Sequence, residues 1–229
     1  MIKVVFFDVY GTIAHFFPSK YKIQTAACKN FGISLTPEYV SLGYKNADQL
    51  MSKQNAKYPL RKMNAREQNL FFIKYEQEIL RANNISVKDS VALEIFKIVK
   101  NFPRKLELYQ DVIPCFKKIK DINVMVGLIS NLNESSKSLV DTLGLSENID
   151  FAITSKEAGF EKPHPGIFHS ALKQSKSSAK NALHVGDQIF SDVNGAESAG
   201  IRPILLDRND FYKNYTYCEK ISSLEDLYF

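Results

Sequence analysis

What this 229-residue sequence has little of narrows its class first. It carries three cysteines, Cys28, Cys115 and Cys218, far apart and odd in number. With no CxxC pair and no matched spacings they form no disulfide framework, and a reducing, cytoplasmic setting is expected. No apolar run approaches the ~20 residues that a membrane helix needs, so no membrane partner is expected. A strand-like run begins within three residues of Met1, so no leader peptide is expected before it. Basic residues are scattered singly or in pairs such as Arg61-Lys62 and Lys117-Lys118. Without a dense basic block, nucleic acid is not an expected partner. Internal repeats and low-complexity stretches are absent as well.

What is present fits an ordinary globular chain, with 45% hydrophobic and 24% charged residues. The length allows one large domain or two and a substantial core. The net charge of +5 suits a small anionic substrate, and equally a solvated lysine-rich surface. Composition leaves monomer and homodimer both open.

The hydrophobic pattern changes period twice. Lys3-Val4-Val5-Phe6-Phe7 reads as a buried strand, because β-branched and aromatic residues suit a pleated surface covered on both faces. Residues 15–105 then show helical spacing. Phe71, Tyr75 and Ile79 recur every four residues, and Val91, Ile95, Ile98 and Val99 follow the same stripe logic. Two further helices are expected over 21–31 and 37–54, the second opened by Pro37. From about residue 106, strands at 123–129, 151–154, 181–186 and 203–206 alternate with helices at 111–121, 134–143, 165–174 and from Asp187 to Ala199. Such alternation predicts a parallel sheet with helices on both faces. The expected fold is α/β, a Rossmann-like parallel sheet core (1–14 and 106–229) with an inserted all-helical cap domain (15–105). A block inserted after the first strand is well placed to act as a lid.

Polar residues fall where open α/β sheets place their chemistry, at the carboxyl ends of predicted parallel strands. Asp8 follows the first strand in Asp8-Val9-Tyr10-Gly11-Thr12, and Ser130-Asn131 end Leu128-Ile129-Ser130-Asn131. Lys162 lies in Phe160-Glu161-Lys162-Pro163-His164-Pro165, and Gly186-Asp187 is followed by Asp192. In that order these segments resemble the four motifs of the haloacid dehalogenase superfamily, and the helical block sits where its subfamily I members carry a type-1 cap. The resemblance covers nearly the whole chain. For the superfamily's phosphatases it implies Asp8 as nucleophile and Lys162 as the group that neutralises the transferred phosphoryl. It implies Ser130, Thr12 and Asn131 as substrate- and loop-side contacts. Mg²⁺ would be held by Asp8, Asp187 and the carbonyl of Tyr10, with Asp192 steadying the metal side or Lys162. His184, within a strand, is expected to be a satisfied core residue, and His164 and His169 to be structural. His15 is a substrate-contact candidate.

One position departs from that pattern. The residue two after the nucleophile is an aspartate in the phosphatases and Tyr10 here, and a phenol with a pKa near 10 stays protonated at neutral pH. Loss of a general acid–base costs about a hundred- to ten-thousand-fold, less where the leaving group needs no proton. Tyrosine at this position also resembles 2-haloacid dehalogenases, which need no metal. Those enzymes lack the Gly-Asp of the fourth motif and carry an arginine early in the cap, whereas this chain keeps Gly186-Asp187 and has no arginine before Arg61. The expected activity is Mg²⁺-dependent hydrolysis of a small phosphorylated metabolite. Dehalogenation, or a non-catalytic binding role, is the alternative.

Overall fold

The computed structural model describes all 229 residues, which form two compact units, residues 1–15 with 106–229 and residues 16–105. The chain enters through β1 (Val4–Phe7), fully buried, and leaves the first unit along β2 (Ala14–Phe17).

Residues 16–105 are helical. α1 (Lys20–Lys29) is capped by Ser19, whose hydroxyl accepts from the Lys22 amide, and α2 (Pro37–Lys57) opens with proline. In α3 (Ala65–Arg81) Asn64 and Glu67 form a reciprocal capping box, and α4 (Asp89–Asn101) completes the unit. The expected stripe is buried. Phe71, Tyr75 and Ile79 of α3 pack with Val40, Tyr44 and Ala47 of α2. Leu80 turns to a second cluster with Ile23, Ala27, Cys28, Ile95 and Val99, while Leu70 is exposed. No helix is long and apolar enough to cross a membrane.

The chain returns along β3 (Lys105–Leu108), which pairs with β2. There follow α5 (Val112–Asp121), β4 (Met125–Ser130), α6 (Ser136–Leu143), β5 (Phe151–Thr154), α7 (Ser155–Ala158), α8 (Pro165–Gln174), β6 (Ala182–Gly186), α9 (Asn194–Ser198), β7 (Arg202–Leu206) and β8 (Glu219–Ile221). The six-stranded sheet has the order β5-β4-β1-β6-β7-β8, and every pairing is parallel. Successive side chains of a strand face opposite sides. Val5 and Phe7 therefore join Phe116, Val126 and Leu128 in one core, while Val4 and Phe6 join Ile129, Ile167, Phe168 and Ala196 in the other. The α/β class expected from the alternation is the observed one.

The structure corrects several details. The strand expected from Asn123 starts at Met125, because Asn123 takes a left-handed φ of 59° in the turn leaving α5. The sheet does not close on β7, since the aromatic-rich tail adds β8. The helix expected between Asp187 and Ala199 begins as a π-turn, Ile189–Val193. The β2–β3 pair was not expected at all, being a short ribbon of mixed burial.

Candidate active site

β1 lies between β4 and β6, so crossovers depart from it in both directions and leave a crevice beyond its carboxyl end. Asp8 stands there as the first residue after β1, with Ser130 ending β4 and Asp187 following β6.

Lys162 joins these segments from 154 residues away in sequence. Its buried ammonium donates to Asp8 Oδ1 and Asp192 Oδ1, each at 2.5 Å. Asn131 fixes the lysine's backbone from both sides: Asn131 Nδ2 donates to the Lys162 carbonyl at 2.9 Å, and the Lys162 amide donates to Asn131 Oδ1 at 2.7 Å. Asn131, expected beside the substrate, thus spends its amide on the lysine loop. Thr12, fully buried, donates its hydroxyl to Asp8 Oδ2 at 3.1 Å. Asp192 is held in turn by His184 Nε2 on Oδ1 and by the Gln188 amide on Oδ2, both at 3.1 Å.

Burial pushes the Asp8 carboxyl up to about 6, with Lys162 pulling it down and Asp192 adding to the rise. Burial would lower the Lys162 ammonium, but Asp192 and Asp8 outweigh it and raise the group, which keeps its charge at neutral pH. Burial would likewise raise Asp192, yet Lys162 and the His184 hydrogen bond bring it down to about 2. His184 is lowered by burial, against the pull of Asp192. It is not the fully satisfied core histidine expected, because Nδ1 has no hydrogen-bond partner.

Carboxylate oxygens of Asp8, Asp187 and Asp192 lie within 4.8 Å of one another, and Lys162 is the cation paired with Asp8 and Asp192. An oxygen-only donor set with excess negative charge fits a hard divalent cation. Two glycines make the approach possible. Gly11 has φ 91°, and a Cβ there would stand 2.5 Å from Asp187 Oδ2; a Cβ on Gly186 would run into the Asp192 side chain. Tyr10 is half-buried and forms a backbone bridge with Ala14, and Ser130 is buried at the end of β4.

The remaining histidines are placed as follows. His15 packs on the Tyr109 ring with centroids 4.8 Å apart. His164 caps α8, its Nδ1 accepting from the Gly166 amide at 3.0 Å, and His169 is exposed.

Sequence reasoning missed Arg208. It lies two residues beyond β7, and its guanidinium donates to the Thr12 carbonyl and to Asp111. The signal was available, since Arg208 also follows the carboxyl end of a parallel strand. Its partners, 196 and 97 residues away, were not readable.

A parallel sheet with a buried Asp–Lys–Asp cluster at its switch point, and a helical unit inserted after the first strand, is the arrangement expected of the family that the four sequence motifs resemble. The model of the haloacid dehalogenase-like hydrolases matches residues 2–200, and the chain belongs to that family. Haloacid dehalogenase-like hydrolase domain-containing protein 3 of Danio rerio is 31% identical over 113 residues, 49% of this chain and 47% of that protein. A glyceraldehyde 3-phosphate phosphatase of Methanothermobacter thermautotrophicus is 27% identical over 99% of this chain and 100% of its own length. Among solved structures, the HAD-hydrolase YfnB of Bacillus subtilis, bound to magnesium, aligns with a TM-score of 0.65 at 18% identity, covering 99% of this chain and 97% of its own. That last likeness speaks for the fold alone.

Proposed function

We propose that the protein hydrolyses a phosphate ester or anhydride of a small metabolite through an aspartyl phosphate on Asp8. The observation that carries this reading is the buried Lys162 ammonium bridging Asp8 and Asp192 beside a third carboxylate, Asp187. An unprotonated Asp8 oxygen attacks phosphorus, the phosphorus–oxygen bond to the leaving group breaks, and that bond pair departs with the leaving oxygen. Water then attacks phosphorus, releasing phosphate and restoring the Asp8 carboxylate. Thr12 holds Asp8 Oδ2 and Lys162 holds Oδ1, so the plane of the attacking carboxylate is fixed. Lys162 lies against the charge that develops on the phosphoryl oxygens, and Ser130, at the neighbouring strand end, offers a hydroxyl donor.

Asp8, Asp187 and the Tyr10 carbonyl are the oxygens that would hold Mg²⁺. When bound, the ion supplies charge neutralisation that lets an anionic nucleophile meet an anionic substrate. Tyr10 supplies no carboxyl group to protonate a departing alkoxide, which favours leaving groups that are stable as anions, such as enolates and the carboxylates released from acyl phosphates. The same tyrosine favours a second reading, halide displacement from carbon. Retention of Gly186-Asp187 and the lack of an arginine before Arg61 weigh against it.

Phosphate and halide release from small substrate panels, each with Mg²⁺ and with EDTA, separates the readings. Phosphate release that EDTA abolishes and Asp8→Asn eliminates is expected. Halide release indifferent to EDTA would refute the phosphatase reading. Mg²⁺ binding without turnover on either panel would point to a binding protein.

A further inference from the structure

We infer that Arg208 is a positioning residue for the nucleophile loop, tying Asp8 through Thr12 to Asp111 and the C-terminal segment. The inference rests on the reading of Asp8 as nucleophile. Arg208 Nη1 and Nη2 donate to Asp111 Oδ2 and Oδ1 at 2.7 and 2.9 Å, a two-pronged pairing that fixes the guanidinium plane. The same plane reaches the Thr12 carbonyl, from Nη2 at 2.8 Å and Nε at 3.3 Å. Its face lies 4.0 Å from the centre of the Tyr109 ring.

Asp111 is anchored independently. Its Oδ2 also accepts from the Ser223 hydroxyl at 3.0 Å and the Leu224 amide at 2.9 Å. Burial alone would raise its carboxyl, but Arg208 and the Leu224 amide hold it below the usual range, so the pair stays ionised. Asp111 stands just before α5 without capping that helix through its side chain, which leaves the carboxylate for these partners.

A staple for the C-terminus alone would need only the carboxylate prongs. Arg208 instead also grips Thr12, a fully buried residue whose hydroxyl holds Asp8 Oδ2. Asp111 and Asp8 are therefore linked through Arg208 and Thr12, the guanidinium holding the Thr12 carbonyl and the Thr12 hydroxyl holding Asp8. The loop it braces turns through Gly11 and is closed by short-range bonds, Gly11 amide to Ala14 carbonyl and the Ile13 and Ala14 amides to the Val9 carbonyl, each 2.9 Å, and by one distant bond, from the Tyr109 amide to the Ile13 carbonyl at 3.0 Å. Without the guanidinium, Thr12 can rotate and Asp8 loses one of the contacts that set its line of attack. Lysine cannot restore this, because a single ammonium lacks the planar fork that serves a carboxylate and a carbonyl together.

The test uses the full chain with Arg208→Met and Arg208→Lys, and Asp8→Asn as reference. It reads kcat and KM for phosphate release per folded molecule, and amide hydrogen exchange across residues 9–14. A misplaced nucleophile costs about a hundredfold in rate. The expected result is a loss of that order in kcat for both variants with KM nearly unchanged. Exchange at Gly11, Ile13 and Ala14 should also accelerate by about tenfold or more, the cost of one charge-assisted hydrogen bond, while β4 and β6 stay protected. Arg208→Lys serves the test should the methionine variant not fold. Loop exchange at wild-type rates, or full kcat in both variants, overturns the inference. Turnover surviving Asp8→Asn would instead refute the nucleophile assignment, and the exchange rates would still judge the tether.

Discussion

At the scale of single residues, Lys162 is the group on which the candidate site depends electrostatically. Both its carboxylate partners are almost fully buried, with side-chain exposures of 11% and 2%. Truncating one member of such a cluster leaves buried charge without compensation, at a cost of about 3–5 kcal/mol. Lys162→Met should therefore lower the denaturant midpoint as well as abolish turnover. Adding Asp192→Asn should recover part of that stability and none of the activity. A double variant no more stable than the single one, by urea melts, would contradict the pairing.

Residue placement was legible where a short motif marks it. Asp8, Ser130 and Asp187 each stand at the carboxyl end of a recognisable strand, and the prolines after Lys162 mark its loop. Arg208 and Asp111 were not legible, because their meaning comes from a meeting that only the folded sheet arranges. Asn131 shows the intermediate case: the motif places it at the end of β4, but its use as a clamp on the Lys162 backbone was not readable.

At the scale of elements, the helical unit holds a buried polar group with a measurable consequence. Glu76 of α3 faces α1 and α2: its Oε1 accepts from Gln24 Nε2, and Gln24 Oε1 accepts from the Tyr44 hydroxyl at 2.7 Å. Burial raises the Glu76 carboxyl to about 7 from 4.5, against the Gln24 bond. The folded unit then holds a proton that the unfolded chain has already released. Its contribution to stability is fully present below pH 4.5 and is lost as pH rises through about 7, some ~3 kcal/mol in all. Glu76→Gln should flatten that part of the pH profile and raise the melting temperature relative to wild type at pH 8. An unchanged wild-type-minus-variant difference between pH 4.5 and 8 would refute it.

Elements with strong periodicity were readable in advance, as the stripes of α3 and α4 show. The failures share a cause, which is that local chemistry gives no period. β8 is three residues long, and the π-turn before α9 sits where Asp192 must turn back onto Lys162. Asn123 begins a strand by pattern but takes a turn conformation by φ.

At the scale of the whole molecule, one central strand organises the chemistry. β1 hydrogen-bonds both β4 and β6, so residues from distant parts of the chain converge on Asp8. Membership of the haloacid dehalogenase-like hydrolases fits that convergence. Attack at phosphorus and attack at carbon differ in where water ends up. After many turnovers in ¹⁸O-water, attack at phosphorus places the isotope in released phosphate and leaves the Asp8 carboxylate unlabelled. Mass spectrometry of phosphate and of the Asp8 peptide reads both. Labelled phosphate with an unlabelled Asp8 is the expected result; isotope in the Asp8 carboxylate, or in neither product, would contradict hydrolysis by attack of water at phosphorus.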